Sequence, residues 1–171
     1  PDILMAAPIF IEGQDLPVAF AGALSHHEDV GGQEPGSMSA NTTELFQEGL
    51  IIPPVPWMKE GKLVKTCVDF IRYNVRIPKT VLGDLEAQLA ACMVGVRGFQ
   101  EMIENMKFDV VDASIDILFD QAETRMRAEL SKLKDGVYEF EDWVDNKSRD
   151  LPRLPIKCKV EVKGSSINVD F

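Results

Sequence analysis

Residues 80–106 read TVLGDLEAQLAACMVGVRGFQEMIENM, and the spacing of their apolar side chains sets the architecture. Leu82, Leu85, Leu89, Cys92, Val96, Phe99, Ile103 and Met106 recur at steps of three and four, the period of one helix face. A helix from Thr80 to Met106 is expected, roughly 40 Å long at 1.5 Å per residue. Gly83, Gly95 and Gly98 either weaken it locally or admit another backbone closely. Downstream, Val111, Ile115, Leu118, Ala122, Met126, Leu130 and Leu133 form a second stripe, with Asp109 as N-cap and Gly136 as a left-handed C-terminal stop. Only Lys107 and Phe108 separate these features, so an antiparallel helix pair is expected, both stripes buried against each other and against the strands.

Outward from the helices the period changes. On the N-terminal side, residues 3–10 and 17–25 are apolar runs around Glu12-Gly13-Gln14-Asp15, a β-hairpin pattern. His26 to about Thr43 is irregular and rich in Gly, Ser, Pro and Asn; Pro53, Pro54 and Pro56 keep the chain extended, and Val64–Asn74 reads as a short helix. On the C-terminal side, Val137–Glu141 and Ile156–Lys163 alternate, and Gly164-Ser165-Ser166 turns the chain into Ile167–Phe171 as a hairpin. The expected class is α+β: a β-hairpin and mixed strands, a long antiparallel helix pair and a C-terminal β-hairpin. The chain reads as a single fragment with a strand and loop part (1–63), a helical part (64–134) and a β part (135–171).

Composition narrows the function. The 171 residues carry a formal charge of −10 and contain no basic run able to follow a phosphate backbone, which argues against nucleic acid. No apolar run approaches the roughly 18 residues of a membrane span, and PDILMAAPIF does not read as a signal peptide. Cys67, Cys92 and Cys158 are odd in number and far apart, a pattern of free thiols in a reducing cytoplasm.

Both histidines stand together in Ser25-His26-His27-Glu28-Asp29-Val30-Gly31-Gly32. Imidazole and carboxylate suit zinc, manganese or iron, and adjacent strand residues point to opposite faces, so one histidine of the pair would bind an ion directly. Gly31 and Gly32 would let a ligand or substrate phosphate come close. The plainer reading of the same spacing is a solvated loop with surface histidines, and a serine–histidine nucleophile has no supporting GxSxG context. The chain carries neither GxxxxGK[ST] nor GxGxxG, so it has no phosphate loop of its own.

SHHEDVGG, PGSMSANTTELFQEGLIIPPV (35–55), NVRIPKTVLGDLEAQLAA (74–91), DGVYEFEDWVD (135–145) and VKGSSINVDF (162–171) together resemble the hydantoinase B/oxoprolinase family over essentially the whole chain. The resemblance implies the B-type portion of an ATP-dependent hydrolase of cyclic amides such as 5-oxoproline or N-methylhydantoin. It implies an oligomer with an A-type partner that binds ATP and Mg, in the cytoplasm. It also implies a divalent metal (Zn, Mn or Fe) held by a THLPD-like motif and by the first histidine of the pair. Pro1 and Asp2 match the end of that motif and His26 matches the later histidine; the motif's own histidine is absent from this chain. Asp2 and His26 are therefore the expected metal ligands. Their positions at the outer ends of two antiparallel strands would bring them together.

His27 and Asp29 become candidates for orienting a ligand or a water. Asp84 and Gln88, which also match the family, are either cleft residues one helical turn apart or ordinary surface groups. Where the family has a polar stretch, this chain has Cys92, Met93 and Val96, which would suit a less polar substrate if that helix borders the cavity. Two other functions fit the same resemblance: the B-type subunit of an ATP-dependent ketone carboxylase, and a non-catalytic assembly module. The 171 residues alone are expected to be inactive.

Overall fold

The computed structural model describes residues 1–146 and 152–171, and the chain divides into two compact units, Pro1–Asn105 and Met106–Phe171. The architecture is α+β, with small antiparallel sheets and long helices.

In the first unit, β1 (Asp2–Ile9) and β2 (Ala19–His26) form an antiparallel hairpin in a register that sets Asp2 opposite His26, Leu4 opposite Leu24 and Pro8 opposite Phe20. Alternation gives it two unlike faces. Met5 and Ile9 are buried, while Asp2, Leu4, Ala6 and Pro8 are exposed together with Phe20, Gly22, Leu24 and His26. A loop with two short 3-10 turns leads to the small strands β3 (Met58–Lys59) and β4 (Lys62–Leu63), then to α1 (Lys65–Asn74) and α2 (Pro78–Met106). Pro78 opens α2 at a position where its missing N–H leaves no helical bond unmade.

The core joins Met5, Ile71, Val75, Val81, Leu85 and Cys92, with Ile3, Ala7, Ala23, Trp57 and Leu89 packed around them. The buried row of α2 is Val81, Leu85, Gln88, Cys92 and Val96, so the seam includes a polar residue that the apolar pattern left out. Of the three α2 glycines only Gly95 serves close approach: a Cβ there would lie 3.0 Å from the Ala21 Cβ, whereas at Gly83 and Gly98 it would meet nothing within 4 Å.

In the second unit, α3 (Phe108–Leu130) precedes a meander of β5 (Gly136–Val144), β6 (Leu154–Lys163) and β7 (Ser166–Asp170), ordered β5-β6-β7. The expected C-terminal hairpin is present, with Lys163 paired to Ser166 across Gly164 and Ser165, and β5 adds a third strand. Three expectations are corrected. Lys107, with φ +68°, occupies the N-cap, and Asp109 lies in the first turn. Ser131 caps the C-terminus by donating its N–H to Arg127, and Gly136 starts a strand. The second stripe is mostly open: Val111 is buried, but Ile115, Leu118 and Met126 on α3, and Leu133 beyond its end, are exposed. Amphipathic spacing identified the helix; burial of its stripe requires a covering surface, which periodicity does not supply.

Candidate metal centre on the hairpin

Asp2 and His26 form the outermost pair of the hairpin ladder, and both project from its exposed face. The His26 Nδ1 stands 2.9 Å from the Asp2 Oδ1. Two ligands bonded to one ion at ordinary lengths lie roughly 3.0–3.4 Å apart. The pair therefore fits a divalent cation after a shift of a few tenths of an ångström. The same geometry suits an imidazole steered by a carboxylate through Nδ1, with Nε2 left to coordinate. No third His, Cys, Asp or Glu is placed to complete a metal-binding group among the described residues.

His27, the residue just past the end of β2, turns the other way and continues the strand alternation, its N–H bonded to the Pro1 carbonyl. Its ring is fully buried, with Nε2 2.9 Å from the Gln88 Oε1 and Nδ1 3.8 Å from the Asp84 Oδ2. Gln88 fixes the hydrogen on this ring. Its amide nitrogen donates to the Ile3 carbonyl at 2.8 Å and the Ala23 carbonyl at 3.0 Å, so its oxygen must accept from His27 Nε2–H. The His27 Nδ1 then has no hydrogen-bond partner. Asp84 and Gln88 do share a face, as their spacing suggested, and it is the face toward the hairpin's inner side.

Asp29 makes its hydrogen bonds and its ion pair away from both histidines. Its carboxylate accepts from the amides of Gly31, Gly36 and Arg76 and from the Arg76 guanidinium, all at 2.9–3.1 Å. Burial pushes this carboxyl up, but the Gly31, Arg76 and Gly36 amides and the Arg76 guanidinium outweigh it and pull the pKa down to about 2. Arg76, which sequence reasoning missed, also donates to the Gly32 and Glu34 carbonyls and so binds the loop after the histidines. Its only sequence signal was its place in NVRIP; nothing there pointed 47 residues back to Asp29.

The glycine pair has a structural use. A Cβ on Gly31 would lie 2.6 Å from the Asn74 carbonyl oxygen and one on Gly32 2.7 Å from that of Gln47, so it is protein backbone that approaches here. Cys92 and Val96 are buried in the α2 seam, which removes the basis for reading substrate polarity from them.

A family model for hydantoinase B/oxoprolinase matches residues 1–171. The chain is 32% identical to the caprolactamase subunit beta of Pseudomonas jessenii over 98% of its own length and 29% of that subunit's. The crystal structure of the ATP-dependent caprolactamase from the same organism superposes with a TM-score of 0.90, again over 98% of this chain and 29% of that one. A 5-oxoprolinase of Dictyostelium discoideum is 31% identical over 74% of this chain and 10% of its own length. An acetone carboxylase structure shares the fold at a TM-score of 0.87 and 18% identity, over 99% of this chain and 24% of that one. The chain thus spans less than a third of these relatives. With a family match over every residue and a fold shared with caprolactamase, this chain belongs to the hydantoinase B/oxoprolinase family.

Proposed function

We propose that this chain is the portion of a B-type subunit that presents Asp2 and His26 to a divalent metal in an ATP-dependent cyclic-amide hydrolase. The observation that carries the reading is the 2.9 Å approach of a carboxylate and an imidazole at paired positions on the exposed face of a hairpin, in a member of this family. A divalent ion held there supplies the Lewis acidity that activates water near neutral pH. Asp2 and His26 hold and orient that ion. Leu4 and Leu24, the next pair on the same face, offer an apolar surface suited to the carbon skeleton of a small cyclic amide.

An A-type partner supplies ATP and Mg. Phosphorylation of the amide oxygen there makes the amide carbon more electrophilic, which gives ATP its physical role. Water adds to that carbon, and the C–N bond breaks with the nitrogen leaving as the amine. A second water hydrolyses the resulting acyl phosphate to carboxylate and phosphate. The caprolactamase relative, named as a β subunit and as ATP-dependent, supports both the partner and the reaction class.

The intact protein, purified with its A-type partner, is tested against 5-oxoproline, hydantoins and caprolactam, following ring opening and ADP release. Ring opening that requires ATP supports the reading. Bicarbonate-dependent consumption of a ketone, with no ring opened, contradicts it.

A further inference from the structure

Asp2 and His26 sit at the open end of a two-stranded ribbon, where pairing is weakest and strand ends fray. Their spacing depends on what closes that end. The His27 N–H donates to the Pro1 carbonyl at 2.8 Å, on one side of Asp2. The His27 ring donates to Gln88, and Gln88 donates to the Ile3 carbonyl, on the other side of Asp2. The second amide hydrogen of Gln88 reaches Ala23 in the opposite strand. The Pro1–Asp2 and Ile3–Leu4 peptide units, one on each side of Asp2, are thus tied, directly and through one side chain, to the residue that follows His26.

We propose that His27 and Gln88 form a clamp that holds Asp2 and His26 at ligand spacing, with Gln88 as the positioning residue supplied by α2. The proposal rests on reading Asp2 and His26 as a metal pair. It also assigns Gln88 away from substrate: the side chain is 5% exposed, both its N–H hydrogens are donated and its oxygen accepts from His27. Glutamine is the residue these partners need. Its amide serves two carbonyls while its oxygen serves a ring N–H. Leucine in its place removes all three of these hydrogen bonds and leaves the buried His27 Nε2–H without an acceptor.

The test compares Gln88→Leu with Val81→Ala in the intact protein. Val81 is buried in the same helix–hairpin core and touches none of these hydrogen bonds, so it controls for plain loss of stability. Cobalt(II) is the probe. Affinity comes from chelator competition, and the visible absorption band reports coordination geometry.

Gln88→Leu is expected to weaken cobalt binding about 10–100-fold and to shift the band. Val81→Ala should lose thermal stability while keeping both. Equal cobalt affinity in Gln88→Leu and the parent overturns the clamp, as does an equal loss in both variants. A parent that binds no cobalt refutes the metal reading instead. The clamp is then judged from ring resonances of ¹⁵N-histidine-labelled protein: Gln88→Leu must alter both His27 Nε2 and the Asp2-bonded His26 Nδ1. An unchanged His26 overturns it.

Discussion

Asp29 shows how one side chain can organise a loop, through Gly31, Gly36 and Arg76, beside histidines to which it makes no hydrogen bond. Its carboxyl is held at about 2 in the folded protein against an ordinary 3.8. The folded state therefore prefers the ionised form, and the stabilisation is fully present above about pH 4 and is lost as pH falls from there toward 2. The shift corresponds to about 2 kcal/mol at most. Asp29→Asn removes it, so the stability gap between parent and variant, measured by urea unfolding, should shrink by about 2 kcal/mol between pH 5 and pH 2. A gap independent of pH would show that Asp29 is not held as an ion. At this scale Asp2 and His26 could be placed together from the sequence, because strand pairing brings the two ends of a hairpin into register. The partners of Asp29 and His27 could not. Arg76 and Gln88 reach them across 47 and 61 residues, through hydrogen bonds that leave no periodic trace.

Hairpin and helix meet along a seam whose fit is set by small residues as much as by large ones. The helix itself was legible from its three-and-four spacing, expected from Thr80 and observed from Pro78, both ending at Met106. The face it buries was legible only in part, because Gln88 belongs to the seam while an apolar count passes over it. Gly95 and Gly83 give the seam a paired test. A methyl at Gly95 crowds the Ala21 Cβ at 3.0 Å, and one at Gly83 enters open space. Gly83→Ala should stabilise the chain by about 0.5–1 kcal/mol through helix propensity alone. Gly95→Ala should lose that gain and cost about 1 kcal/mol or more, since both crowded groups sit on packed elements. Thermal midpoints of the two variants should move in opposite directions; equal shifts would mean that β2 does not approach α2 at Gly95.

At the scale of the whole molecule, the chain spans 29% of the caprolactamase subunit it matches, and its surface keeps many large apolar side chains exposed. Leu4, Phe20 and Leu24 on the hairpin, Ile115, Leu118, Phe119 and Met126 on α3, and Phe140 and Trp143 on β5 are among them. Patterning located these stripes and strands but not what lies against them, because the covering surface is not encoded in the stripe. The same limit applies to the proposed metal site, where the described residues bring two candidate donors together and no third. No helix among the described residues is long and apolar enough to cross a membrane.

The central claim is that the adjacent histidines have different tasks, His26 holding an ion and His27 holding the hairpin. Metal content per chain, by elemental analysis of the intact protein after dialysis, separates them most directly. His26→Ala and Asp2→Asn should strip the ion, because the first removes a nitrogen donor and the second replaces an anionic oxygen with a weak neutral one, whereas His27→Ala should retain it with affinity weakened about 10–100-fold. Metal retained by His26→Ala at the level of the parent would contradict the account.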